Sequence, residues 1–255
     1  MKKQQRPLPW LDPGESFPAV SCAWGQDDPA PGLLAAGGVL DVATLVRAYK
    51  QGIFPWYSAG QPTLWWSPNP RMVLQTQQFK LHRSLRKTLH HFSNNMACEI
   101  RFDSSFVRVI NACASKSRDG QPGTWILPEM MAAYCALHAA GHAHSVETWV
   151  DGQLVGGLYC VNLGGMVFGE SMFTDARDAS KIALSALVAF CRAHAIDMID
   201  CQQNTKHLAH LGAQEISREM FTSHVAQAIN NPAPNWKFDP VYWNYLLPAK
   251  MPSTP

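Results

Sequence analysis

Charge is what this 255-residue sequence has least of: Asp, Glu, Lys and Arg make up 16% of it, against about 25% in a typical globular chain. The 21 Lys and Arg nearly balance the 19 Asp and Glu, leaving a formal net charge of +2. General attraction to polyanions is therefore weak, and any nucleic-acid contact must come from a local basic cluster. No stretch approaches the roughly 20 apolar residues that a bilayer-crossing helix needs. The start, MKKQQRPLPW, is basic but runs into proline and polar residues with no apolar core behind it, so secretion is not expected and a cytoplasmic, membrane-free protein is. Seven cysteines, an odd number and widely spaced, include no CxxC pair, which argues against a zinc site and a disulfide framework. P-loop, GxSxG and Rossmann fingerprints are missing, so nucleotide hydrolysis, acyl-serine and hydride chemistry lack support.

What is present is organised. Residues 1–35 are rich in proline and glycine and read as loop. Asp41 can cap a helix over 42–50, with Leu45 and Tyr49 on one face and Gly52 at its end. Residues 53–70, IFPWYSAGQPTLWWSPNP, hold four prolines and three tryptophans and form a shaped aromatic loop. The boundary between a small amino-terminal domain (1–70) and a main domain (71–255) falls where this cluster ends. Beyond it the pattern predicts strand 72–76, helix 79–92, strand 98–103 and a helix 104–114 capped by Asp103. Helix 128–140 opens on Pro128 and closes at Gly141. Strands 144–150 and 153–162 flank the hairpin turn Asp151-Gly152. After Gly164-Gly165 come strand 166–173, a long helix 178–195 and strand 196–202.

Several clusters could carry chemistry. At the end of the last strand the two-residue period places Asp200 and Gln202 on one face and Cys201 on the other; an ordinary strand end is the competing reading. Glu170 lies in the apolar strand MVFGESMF, where a lone carboxylate needs a cation or an opening onto a cleft. Trp56, Trp65, Trp66 and Trp125 sit in proline- or glycine-rich loops, where an indole can stack on a base or plug a gap between domains. Lys80, Arg83, Arg86 and Lys87, with His82, His90 and His91 among them, give a basic helix face suited to phosphates or simply to water. The pairs His142/His144 and His207/His210 lack a third ligand at metal spacing, and no metal is expected.

Hairpin, strand, long helix, strand is also the order at the heart of the GCN5-related acetyltransferase fold, an analogy at the level of fold. Such enzymes hold coenzyme A with a glycine-rich turn at the head of the helix. Residues 171–178, SMFTDARD, have no glycine and two carboxylates there, so coenzyme A is not expected and no cofactor is.

Read together, GLLAAGGVL, AYKQGIFPWYS, LWWSPNPR, GTWI, AYCALHAAGHAHSVE, LVGGLYCV, FGESMFT, ASKIAL, IDCQ and HLAHLGAQEISR resemble the leucyl/phenylalanyl-tRNA protein transferase family over about residues 32–236. The resemblance implies an α/β (α+β) chain, with a small amino-terminal domain and an acetyltransferase-like main domain built on a mixed sheet. It implies a monomer that moves Leu or Phe, with Met a further candidate, from aminoacyl-tRNA to proteins beginning with Arg or Lys, marking them for N-degron proteolysis. Carried over by motif, Asp200 and Gln202 would be the catalytic pair, Asp200 polarising the Gln202 carboxamide, and Glu170 would bind substrate. Trp56 and Trp125 would hold the terminal adenosine or wall the donor pocket, with Tyr49 and Tyr134 in the same cleft. Leu158 and Val167 stand where the family leads one to expect Met and Phe. Lys80, Arg83, Arg86 and Lys87 match a family segment of similar charge, which supports tRNA contact.

Overall fold

A computed structural model describes residues 7–115 and 126–247. Residues 10–66 build a four-stranded sheet from β1 (Trp10–Leu11), β2 (Leu33–Gly37), β3 (Phe54–Pro55) and β4 (Leu64–Trp66), in the order β1-β2-β4-β3. Between β2 and β3 lies α1 (Val42–Lys50). The Asp41 carboxylate accepts from the Thr44 N–H at 2.7 Å, supplying one of the acceptors that a helix start lacks. Gly52 follows at φ +71, and a β-carbon there would meet the Phe221 ring at 2.8 Å.

The chain then runs through β5 (Arg71–Gln75), α2 (Arg83–Ser93), β6 (Cys98–Phe102), α3 (Phe106–Ser115) and α4 (Pro128–Ala139). Next come β7 (Ala143–Val150), β8 (Gln153–Leu163), β9 (Met166–Thr174), α5 (Ala179–Ala193), β10 (Met198–Gln202), α6 (Lys206–His210), β11 (Gln214–Ile216) and α7 (Arg218–Ala228). The seven strands from β5 onward form one mixed sheet, β11-β5-β10-β9-β8-β7-β6. In it only β9 and β10 are parallel, and α5 is the crossover that joins them, as a parallel pair requires. One apolar core lies between the sheet, α3, α4 and the amino-terminal elements. A second lies under α5, α2 and the carboxy-terminal segment around Trp243.

Three local expectations give way to tertiary contacts. Helix α2 starts at Arg83 rather than residue 79: Thr76–Gln78 form a short 3-10 turn, and the Lys80 N–H donates to the Leu211 carbonyl at 2.9 Å, so this stretch binds a neighbour instead of coiling into helix. Lys80 therefore precedes the helix. Asp103 does not cap α3. It has φ +56, and its carboxylate faces the Ser145 N–H and His144 Nδ1 at 2.8 and 2.7 Å, while the Ser105 N–H at the head of α3 donates to Glu147 at 2.7 Å. Finally, the regular alternation of 200–202 fails. Asp200 pairs with Val73 and Gln202 with the next residue back, Met72, so Cys201 is an extra residue in a β-bulge, and Gln202 takes φ +61.

Candidate active site

The site exists because β9 and β10 stop pairing. Their parallel register covers only Val167 with Ile199 and Phe168 with Asp200. Beyond those pairs each strand carries a bulge. In β9 the partners skip from Gly169 (with Cys160) to Ser171 (with Tyr159), leaving Glu170 unmatched. In β10 the extra residue is Cys201. Bulges bend the strand that carries them and re-aim its side chains, and here two of them part the sheet. The resulting cavity, about 450 Å³, reaches both sides of it. Phe54, Trp56 and Tyr159 line one side; Leu158, Met172, Leu184, Leu187 and Leu208 line the other.

Glu170 and Gln202 meet across the parted strands. The Gln202 Nε2 donates to Glu170 Oε1 at 2.9 Å. The Tyr49 hydroxyl donates to the same oxygen at 2.6 Å, the Tyr134 hydroxyl donates to Oε2 at 3.1 Å, and the two hydroxyls lie 2.5 Å apart. Burial pushes the Glu170 carboxyl up to about 7, and the Asp200 charge acts the same way, while the hydrogen bonds from Tyr49, Tyr134 and Gln202 pull it down. Three neutral donors thus hold a carboxyl group whose charge changes near neutrality; among the described residues no cationic side chain touches it. Gln202 turns its NH₂ toward Glu170, which leaves its carbonyl oxygen directed away from that carboxyl group.

Asp200 sits deeper, with no exposure to solvent. Its Oδ1 accepts from Arg71 Nε at 2.8 Å and its Oδ2 from Arg71 Nη2 at 2.6 Å, a two-point ion pair in which both side chains are fully buried. Oδ1 also accepts the Gln202 backbone N–H at 2.9 Å. Asp200 therefore holds the backbone of Gln202, and the carboxamide is held by Glu170, which differs from the direct polarisation expected from the resemblance. Arg71 Nη1 donates to the Gly52 carbonyl at 3.2 Å, and its guanidinium lies 4.8 Å and 4.5 Å from the Phe54 and Phe221 ring centroids. The pair thus ties the bulge in β10 to the loop that carries Phe54 and Trp56. Sequence reasoning gave Arg71 no role. Its signal was there: a carboxylate inside IDCQ needs a cation.

The other expected residues divide. Trp56 and Leu158 line the cavity; the Trp56 ring packs edge-on to Trp66, with centroids 5.4 Å apart. Tyr49 and Tyr134 lie behind Glu170, wholly buried, as its hydrogen-bond donors instead of as cavity wall. Val167 does not reach the cavity. It is buried in the core under α5, because the alternation that turns Phe168 to one face turns Val167 to the other. Trp125 lies outside the described residues. Lys80, Arg83, Arg86 and Lys87 are exposed, the last three on the outer face of α2 opposite the buried Leu85, Leu89 and Phe92. Among the described residues no group of three or more His, Cys, Asp or Glu is placed to hold a metal. No helix among them is long and apolar enough to cross a membrane.

Comparison with known proteins gives this arrangement a family. The leucyl/phenylalanyl-tRNA protein transferase model matches residues 73–226, and the model for that family's N-terminal domain matches 38–69. A leucyl/phenylalanyl-tRNA–protein transferase of Polaromonas sp. (strain JS666 / ATCC BAA-500) is 66% identical over 255 residues, covering 100% of both chains. One from Albidiferax ferrireducens is 61% identical over 254 residues, again with 100% of each covered. Solved structures overlap far more loosely. L-PGS from Bacillus licheniformis has a TM-score of 0.36 and 9% identity, covering 69% of this chain and 57% of that one. The aminoglycoside N-acetyltransferase AAC(6')-Iy has a TM-score of 0.30 and 15% identity, covering 56% and 93%. The family models and the full-length relatives, not these distant overlaps, decide the matter: the chain belongs to the leucyl/phenylalanyl-tRNA protein transferase family and is an aminoacyltransferase.

Proposed function

We propose that the cavity moves leucine or phenylalanine, and methionine as a further donor, from the terminal adenosine of aminoacyl-tRNA to the α-amino group of proteins that begin with Arg or Lys, so that the new amino terminus marks them for proteolysis. The observation that carries this reading is the meeting of Glu170 and Gln202 across the parted strands. It sets a carboxyl group and a free carboxamide oxygen beside an apolar chamber of the size of a Leu or Phe side chain with room for its ester.

The reaction is aminolysis of an ester. The attacking amine nitrogen bonds to the ester carbonyl carbon, a tetrahedral intermediate forms, and the bond from that carbon to the ribose oxygen breaks. The ester is already activated, so alignment and stabilisation of charge in the intermediate are the main tasks. An α-amino group has a pKa near 7.7–8.0, so a useful fraction is neutral at cellular pH without a strong base. Gln202 Oε1 accepts a hydrogen from the amine and aims its lone pair. A carboxamide is too weak a base to keep that proton, which leaves through water or with the departing ribose oxygen. Asp200 with Arg71 fixes the backbone from which Gln202 reaches. Glu170 takes the α-ammonium group of the donor, beside the aminoacyl pocket, and Trp56 offers its ring to the adenine. Residues 1–70 and 71–255 serve as two units, one bringing Phe54 and Trp56 and the other the sheet, a division supported by their separate sheets.

The test is incubation with labelled leucyl-tRNA and a peptide beginning with arginine. Label should appear on the peptide's amino terminus; label that stays on the tRNA refutes the reading.

A further inference from the structure

Eight described Lys and Arg residues are exposed and make no side-chain hydrogen bond or ion pair with another described residue, and five of them, Lys80, Arg83, Arg86, Lys87 and Lys206, fall on α2, just before it, or on α6. Four of them were expected from the sequence as a basic face of one helix. The structure joins that face to a different element. His82, at the head of α2, donates from Nε2 to the His210 carbonyl at 2.8 Å, and the two imidazoles stack with centroids 4.1 Å apart. The Lys80 N–H donates to the Leu211 carbonyl just past α6, and the Lys80 side chain lies over Gly212. The amino end of α2 is therefore bound to the carboxyl end of α6. The other side of α6 opens on the cavity: Thr205, His207 and Leu208 line it, three to six residues beyond Gln202. Lys181 and His210 are the titratable groups that face His207, and the Lys181 ammonium is already held by Asp178 at 2.8 Å.

In a chain of 16% charged residues, five of the eight exposed cations without an internal partner gather along one path that the α2–α6 contacts hold together, an arrangement suited to an external anion. The path runs from Arg86 and Lys87 through Arg83, Lys80 and the His82/His210 stack to Lys206, and it ends at the cavity mouth. The geometry points to α6, through Lys206 and His210, as the phosphate contact for the single-stranded 3′ end of the donor tRNA, continuing the track from α2 to the reacting ester. This rests on the aminoacyl-tRNA reading above and adds the route by which the strand enters. Phosphates at single-strand spacing suit such a track because each neutralised phosphate releases counterions. A terminal adenosine alone, which has no phosphodiester, gains nothing from it.

That difference supplies the experiment. Transfer is measured with two donors, leucyl-tRNA and 3′-O-leucyl-adenosine, for the wild type and for Lys206→Ala with His210→Ala, two exposed positions away from both apolar cores. The ratio of KM for leucyl-tRNA to KM for the minimal donor should rise about 5- to 20-fold in the variant. The dependence of log K on log salt for uncharged tRNA should flatten by roughly 0.7 for each phosphate that is no longer neutralised. Lys206→Arg should restore most of the ratio. An unchanged ratio with an unchanged salt slope overturns the proposal, and so does an equal loss with both donors, which would place α6 in the chamber instead of on the strand. A wild type that transfers from neither donor would refute the catalytic reading instead, and the salt slope for uncharged tRNA would still decide the fate of α6.

Discussion

The buried pair of Arg71 and Asp200 can be separated into what it does for stability and what it does for Gln202. Both side chains are inaccessible to solvent, so removing one leaves the other as a charge in a dry site, at a cost of about 3–5 kcal/mol. In a chain of this size each kcal/mol moves the unfolding midpoint by roughly 2–4 °C. Arg71→Met should therefore lower the midpoint by roughly 6–20 °C. Replacing both partners, Arg71→Met with Asp200→Leu, removes the orphaned charge, and such exchanges of a buried pair for apolar side chains are often neutral in stability. The double variant should regain most of the lost midpoint. Activity should not follow, because the Gln202 N–H has then lost its carboxylate acceptor and the Gly52 carbonyl its guanidinium donor. A misplacement of about 1 Å at a reacting group is worth on the order of 100-fold in rate. The assay is thermal unfolding by circular dichroism beside single-turnover transfer from saturating leucyl-tRNA to an arginine peptide. A double variant that recovers both midpoint and rate would refute the argument, since the bulge would then hold Gln202 in place without the pair.

Four further outcomes are expected. With its carboxyl near 7, Glu170 loses its negative charge as pH falls, so the preference for an aminoacyl donor over its deaminated analogue should shrink from about pH 8 to about pH 6 in the wild type; Glu170→Gln should show a small, pH-independent preference over the same range. A wild-type preference that stays flat would remove Glu170 from the donor's ammonium group. Arg83→Ala with Arg86→Ala should weaken tRNA binding and flatten its salt dependence by roughly 0.7 to 0.9 per phosphate, while turnover at saturating tRNA holds; equal slopes would mean this face meets only water. Gly156→Ala would drive a β-carbon to 2.5 Å from Ala179 Cβ, where the head of α5 rests on β8, and should cost about 1–3 kcal/mol in urea unfolding. Leu158→Ala, in the cavity wall, should favour phenylalanine over leucine by about 10-fold or more, within the 1–3 kcal/mol that such pockets command, whereas Val167→Ala should lower stability and leave the donor ratio alone.

Where local chemistry decides an element, the sequence was enough. Asp151 and Gly152 take φ +49 and +71, the left-handed pair a two-residue hairpin turn demands, and β7 and β8 follow from it. Pro128, Glu129 and the φ +78 of Gly141 bracket α4 for equally local reasons. The head of α2 and the cap of α3 were beyond reach because their decisive partners lie far along the chain. Leu211 takes the Lys80 N–H and Glu147 takes the Ser105 N–H, and nothing near residues 80 or 105 announces either. In each case a distant acceptor prevails over a local preference.

The site was legible to the extent that its residues break the pattern of the strands that carry them. Glu170 stands out in MVFGESMF because burying a carboxylate demands donors, and the structure supplies three. Periodicity could not say that those donors would be two tyrosines and a carboxamide, since Tyr49 and Tyr134 read equally well as core residues on amphipathic helices. The same demand, applied to Asp200, requires a buried cation, and a chain with so few charges has few to offer; Arg71, opening a strand straight after a proline, looks like an edge residue until the fold closes over it. Alternation also misplaced Gln202, because a period of two assumes that each residue in β10 has a partner, and Cys201 has none. An unpaired residue on each of two neighbouring strands is what parts the sheet. The register that periodicity predicts is thus the register that the cavity requires to fail, and the carboxylate and carboxamide that meet there do so because both strands carry one residue too many.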